Sequence, residues 1–146
     1  PGQGLPMFSG EELLEMVRLA DYLAVNDYEG KLLEEKTGRS LEDLAGELKA
    51  LIATQGAQGS VVFASGKRIE IPIVGAEAVV DPTGCGDASR AGLLYGISKG
   101  WDWESAGRLG ALMGSIKIAQ RGPQNHKPSR DEIIARYKKA FGSSPF

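Results

Sequence analysis

Asp81-Pro82-Thr83-Gly84-Cys85-Gly86-Asp87-Ala88 follows the apolar run Ala78-Val79-Val80 and leads into a small-residue, apolar-rich stretch with helix character over 88–99. Glycine lets a backbone turn sharply and lets a ligand approach it closely. A helix beginning at Gly86 or Asp87 leaves its first N–H groups without intrahelical partners. Those donors, with the positive end of the helix dipole, form an anion site. Asp87 then faces the anion that it should repel. A carboxylate in that place makes sense as a base, taking a proton from a hydroxyl that attacks a phosphate.

The 146 residues are 42% hydrophobic and 25% charged, as expected of one soluble globular domain that can bury a core. A net charge of −2 gives no electrostatic case for a nucleic-acid or anionic-membrane partner. A single Cys excludes an internal disulfide and points to a reducing cytoplasm. With a single His beside it, a zinc site of the usual Cys/His type has too few ligands. No apolar run reaches the length of a membrane span, and no signal-peptide pattern occurs. The first residue is Pro1 rather than Met, so the sequence is expected to begin partway through a longer protein.

Outward from the central stretch, the N-terminal side alternates helices with short strands. Residues 1–6 read as a loop. Ser9 and Glu12 have capping-box spacing, and Leu13, Leu14, Met16, Val17 and Ala20 continue an apolar helix face. Tyr22-Leu23-Ala24-Val25 is a short buried strand that ends at Asn26-Asp27-Tyr28-Glu29. There a second helix opens, with Leu32 and Leu33 inward and a stop at Thr37-Gly38-Arg39. Ser40 and Asp43 start a third, carrying Leu41, Leu44 and Leu48. Leu51-Ile52-Ala53 is a second strand, running into Thr54-Gln55-Gly56-Ala57-Gln58-Gly59. Alternating segments 60–64 and 67–71 flank Ser65-Gly66, a hairpin turn, and 73–80 is extended.

On the C-terminal side, helices are expected over 88–99 and 103–120. The second carries Gly107, Gly110 and Gly114 at helical spacing. Each glycine costs about 1 kcal/mol against alanine in a helix, so three of them imply close backbone packing against a neighbour. Trp101 and Trp103 flank Asp102, which starts that helix. Residues 121–128 form a loop, and Ser129 with Glu132 caps a last amphipathic helix to about Phe141. The alternation predicts an α/β fold with a parallel sheet flanked by helices, interrupted by the hairpin. Ligands collect at the carboxyl ends of strands in such sheets. Three stretches, 26–29, 54–59 and 81–87, sit at expected strand ends and suggest one converging site.

The central octet resembles the second signature of the ribokinase-like (PfkB) carbohydrate kinases, roughly Asp-Thr-x-Gly-Ala-Gly-Asp-Ala/Thr. Asn26-x-x-Glu29 and Thr54-x-Gly56-x-x-Gly59 are similar to two further motifs of that family, in the same order. The resemblance covers nearly the whole chain but only the C-terminal, nucleotide-binding and catalytic half of a typical member. The other half, with most of the substrate pocket and the small β lid through which family dimers often form, is absent. The implied fold has three layers, with the hairpin near the nucleotide site. The implied reaction is transfer of the γ-phosphate of ATP to a hydroxymethyl group of a sugar or nucleoside, such as ribose or adenosine. Asp87 would be the general base, with the backbone N–H groups of Gly84, Cys85 and Gly86 as the anion hole. Losing one such donor costs on the order of 10²–10³ in rate.

By the same resemblance Asn26 and Glu29 organise Mg2+ and the phosphates, Glu29 through water, which suits an ion that keeps several waters. Thr54, Gly56 and Gly59 would wrap the ATP phosphates and ribose. Ala111, in the helix around 109–113, and Asn125, in loop 120–126, would flank the adenine. Asp81 and Thr83, with carbonyls near Gly122, match positions that bind a monovalent cation such as K+ in some members. Pro82 and Ser89 depart from the family pattern, Ser89 replacing a usual aromatic, which implies a local packing change. Arg121-Gly122-Pro123-Gln124-Asn125-His126 is similar to the adenosine-kinase-like branch. Cys85 stands where Ala is common. As a thiol at a helix N-terminus it is expected to ionise more easily than a free one and to confer some oxidative sensitivity.

Two other classes compete with the kinase. A truncated chain could bind nucleotide without phosphorylating anything; turnover by the 146 residues alone separates this from a kinase. Gly84-Cys85-Gly86 followed by Gly92 loosely resembles the dinucleotide loop of an oxidoreductase, but the spacing is wrong for Gly-x-Gly-x-x-Gly. ATP binding without NAD binding separates these.

Overall fold

The computed structural model describes residues 2–146. The chain divides into two compact units, Pro1–Glu70 and Ile71–Phe146.

In the first unit, Gly2–Met7 winds as a 3-10 helix where a loop is expected, because Leu5, 1% exposed, is drawn into the core. Helix α1, Gly10–Leu19, opens with the full Ser9/Glu12 capping box. Leu13 and Val17 are buried, while Met16, assigned to the same face, is 43% exposed. Strand β1, Tyr22–Asn26, buries only Val25 fully. Among the described residues it has a neighbouring strand on one side only, so its other residues are less covered than a buried strand would be. Helix α2, Asp27–Thr37, is capped by Asn26 and stopped by Gly38 in the left-handed region at φ 67°. Leu33 is buried and Leu32 partly so. Helix α3, Leu41–Ala45, is only five residues long, and Leu48 lies beyond its end.

Strand β2, Ala50–Thr54, is the most buried element of the unit. It pairs parallel with β1 and antiparallel with β3, Ser60–Ala64. Strand β4, Lys67–Ile71, completes the order β1-β2-β3-β4. The sheet is therefore mixed, and the expected parallel pairing is confined to β1 and β2. The cause is connection length. A parallel crossover needs a dozen or more residues, which α2 and α3 supply, whereas 55–59 and 65–66 can only reverse the chain. Ser65 and Gly66 both have positive φ, 52° and 70°, as the expected hairpin turn demands. Leu13, Val17, Val25, Leu33, Leu44 and Leu51 form the core.

In the second unit, residues 72–84 contain no regular element. The strand expected before Asp81 does not form. Val80 and Asp81 both donate their N–H to the Ile118 carbonyl, so this backbone is spent on a helix end rather than on a sheet. Val79 is 79% exposed. Helix α4, Cys85–Ser98, packs on α5, Trp103–Ile118. A Cβ on Gly92 would lie 2.8 Å from the Leu109 carbonyl oxygen, and one on Gly110 would lie 2.9 Å from that of Ser89. Gly114 leaves room for the Ser89 hydroxyl, 2.6 Å from where its Cβ would be, and Gly107 does the same for the Ile71 side chain at 2.8 Å. The glycine spacing thus marks close backbone packing, and it explains the small Ser89. Helix α6, Arg130–Phe141, capped by Ser129, buries Tyr137 against Leu109, Leu112 and Ile116. No helix among the described residues is long and apolar enough to cross a membrane.

Candidate functional site

In the first unit, the β1–β2 register sets Asn26 directly beside Thr54 at the carboxyl ends of the two parallel strands. Thr54 Oγ1 donates to the Val25 carbonyl at 3.3 Å. Asn26 Oδ1 accepts the Glu29 N–H at 2.7 Å, and Glu29 Oε2 accepts the Asn26 N–H at 2.9 Å. This reciprocal pair leaves Glu29 only 8% exposed. Gly56 has φ 55° and Gly59 φ 92° with ψ −143°, a conformation open essentially to glycine alone. Gln55 N–H closes the loop on the Gly59 carbonyl at 2.8 Å.

In the second unit, Gly84 caps α4 at φ 83°. A Cβ there would meet the Pro123 carbonyl oxygen at 2.8 Å, so glycine is required both for the turn and for the approach of loop 120–126. The helix begins earlier than expected, and Asp87 is its third residue rather than its cap. The Asp87 side chain is 83% exposed and pairs with Arg90 at 3.0 Å. The expected donor set changes in one member. The Cys85 N–H turns back to the Pro82 carbonyl at 3.1 Å and is not available to an anion. Gly84, Gly86 and Asp87 keep amide N–H groups with no hydrogen-bond partner among the described residues.

Asp81 anchors the turn. Its Oδ1 accepts the Thr83 N–H at 2.9 Å and its Oδ2 the Gly122 N–H at 2.8 Å. These bonds, with the Thr83 hydroxyl and the positive charge of Lys117, hold its carboxyl down at about 2. Lys117, fully buried, donates its ammonium to the Asp81 carbonyl at 2.7 Å and to that of Gln120 at 2.9 Å. Asp81, Thr83 and Gly122 are thus brought together: the Asp81 carboxylate accepts the N–H groups of the other two, and the Asp81 carbonyl accepts the Lys117 ammonium.

Burial pushes the Cys85 thiol up from its ordinary value, outweighing the positive charge of Lys117. Burial thus runs against the easy ionisation expected of a thiol at a helix N-terminus. Ala111 is half-buried on α5, while Leu109 and Leu112 are committed to the core. Asn125 is exposed and its side-chain amide donates to the Arg121 carbonyl at 2.8 Å. Among the described residues, no group of three or more His, Cys, Asp or Glu is placed to hold a metal ion. Glu29, with one oxygen engaged, fits a water-mediated contact to Mg2+ but not a cage. The oxidoreductase reading fails on the missing strand, since a dinucleotide loop must follow one directly.

Lys117 and Arg90 were missed from sequence. Arg90 has the spacing of an i,i+3 partner to Asp87. Lys117 lies three and seven residues after Gly114 and Gly110, on the very face those glycines reserve for packing. A lysine on such a face is a signal.

The model of the "pfkB family carbohydrate kinase" matches residues 5–130. A nucleoside kinase of Methanocaldococcus jannaschii is 38% identical over 139 residues, 95% of this chain and 46% of its own length. The structure of a Burkholderia thailandensis nucleoside kinase in complex with inosine is similar at 54% identity and a TM-score of 0.97, over 99% of this chain and 48% of that one. A structure of the same Burkholderia enzyme with ADP-inosine has a TM-score of 0.96, also at 54% identity, over 99% of this chain and 46% of that one. The fold is thus the ribokinase-like α/β fold, and the chain spans about half the length of the relatives it matches.

Proposed function

Because this chain belongs to the PfkB family of carbohydrate kinases, we propose that it supplies the nucleotide-binding and catalytic half of an ATP-dependent nucleoside kinase. The observation that carries the proposal is the start of α4. There an exposed carboxylate, Asp87, stands on the same turn as three unpaired amide N–H groups, those of Gly84, Gly86 and Asp87. The acceptor is the hydroxymethyl group of a nucleoside, as the inosine-bound and nucleoside-kinase relatives suggest, rather than a free sugar.

In the reaction, Asp87 takes the proton of the substrate hydroxyl as its oxygen forms a bond to the γ-phosphorus and the bond to the leaving ADP oxygen breaks. The unpaired amides and the dipole of α4 hold the negative charge of the transferring phosphoryl group. Gly84, locked by Asp81–Gly122 and by Pro123, fixes where those amides point. Asn26, Glu29, Thr54, Gly56 and Gly59 serve the phosphates and ribose of ATP, and Ala111 and Asn125 its adenine. Mg2+, when bound, neutralises phosphate charge; Glu29 and Asn26 would meet it through water.

The test is a turnover assay of the full-length protein with ATP and, in separate reactions, inosine, adenosine and ribose, read by phosphorus NMR and chromatography. A nucleoside 5′-monophosphate is expected. Phosphorylation of ribose alone would overturn the acceptor, and ATP binding without transfer to any of the three would overturn the kinase.

A further inference from the structure

The loop that, by the family resemblance, matches a monovalent-cation site holds a cation of the chain itself. Lys117 is 0% exposed. Burying an ammonium is costly unless its hydrogens find acceptors. Lys117 finds two backbone carbonyls, Asp81 at 2.7 Å and Gln120 at 2.9 Å. An all-oxygen nest of carbonyls beside a carboxylate is also what a hard monovalent ion seeks. Here both Asp81 carboxylate oxygens accept backbone N–H groups, of Thr83 and Gly122. Each of these Asp81 oxygens already accepts one hydrogen, and an added cation beside them would stand against the buried charge of Lys117.

We propose that the Lys117 ammonium is a built-in replacement for a bound monovalent cation, joining loop 81–84 to loop 120–123. Lys117 is a positioning residue. It holds the Asp81 and Gln120 carbonyls, Asp81 holds Gly122, and the adjoining Pro123 packs on Gly84, which caps α4. The consequence is that the full protein works without K+, Na+ or NH4+. The kinetic part of this inference rests on the proposed phosphotransfer; the binding part does not.

The experiment has two parts. Crystals of the full-length protein are soaked in Rb+ or Tl+, and anomalous scattering is measured around the Asp81 carbonyl. No peak is expected, and a peak coordinated there overturns the proposal. Turnover is then measured in tetramethylammonium buffer with and without K+ or NH4+. Unchanged rates are expected from the unaltered protein, and activation by either ion overturns the proposal.

Lys117→Ala opens the ammonium's space. It should lose roughly tenfold or more in turnover, the scale of a hydrogen bond to a charged group. It should recover activity and gain melting temperature on addition of NH4+ or K+. Lys117→Met, which fills the stem's space without charge, should show neither recovery. A folded Lys117→Ala that neither ion stabilises overturns the proposal. If Lys117→Ala does not fold, the scattering and salt measurements on the unaltered protein decide. Absence of turnover in every salt refutes the kinase reading, while scattering and melting still decide the role of Lys117.

Discussion

Arg90 Nη1 lies 3.0 Å from Asp87 Oδ1, less than one turn further along the same helix. The carboxylate proposed as base is thus held by a neighbour on its own element, in solvent. Removing its charge should leave the fold intact and stop the chemistry. Asp87→Asn should keep its melting temperature while kcat falls by on the order of 10²–10⁴, the usual worth of a positioned base. Arg90→Ala should shift stability by no more than about 1 kcal/mol, as exposed ion pairs do. Near-normal turnover of Asp87→Asn would remove it from the mechanism.

Gly84 and Gly86 differ in what a methyl group would meet. At Gly84 it would lie 2.8 Å from the Pro123 carbonyl oxygen, at φ 83°. Gly84→Ala should destabilise the protein by at least the ~1–2 kcal/mol of left-handed strain, before counting the clash. At Gly86 the nearest atom is the Arg90 guanidinium at 3.8 Å. Gly86→Ala should be as stable or more so, by up to ~1 kcal/mol of helix propensity. A loss of ATP affinity in this stable variant would show that Gly86 is kept bare for the ligand. Calorimetry and ATP titration of the pair read both effects.

Asp81 gives the protein a defined acid response. Its carboxyl is held down at about 2 by the Thr83 and Gly122 amides, the Thr83 hydroxyl and Lys117. A depressed pKa contributes stability above the unfolded value, near 3.9, and loses it as pH falls towards the folded value. Urea melts between pH 5 and 2 should therefore steepen in the lower part of this range, and Asp81→Asn should flatten that slope. An unchanged slope in the variant would contradict the role of Asp81 as loop anchor.

The Cys85 thiol, raised by burial, should react slowly with iodoacetamide at neutral pH and accelerate only above the ordinary thiol range, near 8.5. Turnover should survive mild peroxide, and Cys85→Ala should behave alike. Rapid alkylation at pH 7 would reverse this view of the site.

The helix signals were written locally, so they could be read. Ser9, Asn26, Ser40, Asp102 and Ser129 cap the helices that their spacing implies, and Gly38 ends α2. The Ser65-Gly66 turn was equally local. What escaped depends on partners far along the chain. Ala78-Val79-Val80 has the composition of a strand, but at its end Val80 and Asp81 give their N–H groups to the distant Ile118 carbonyl. Met16 fits an apolar face that packing leaves open to solvent. Around the candidate site, the turn and Asp87 were legible from residue type. The diversion of the Cys85 amide and the buried Lys117 were not, since each needs the three-dimensional position of another loop.

The interlocked glycines of α4 and α5 bear on how this chain can change over evolutionary time. Gly92 against Leu109, and Gly110 and Gly114 against Ser89, fix the axial register of the two helices. The connection between them, 99–102, sets that register, so an added or deleted residue there would drive side chains into backbone. Residues 72–79 keep no such register and end on a single carbonyl clasp, that of Ile118. Length variation among descendants should accumulate in 72–79 and be purged from 99–102.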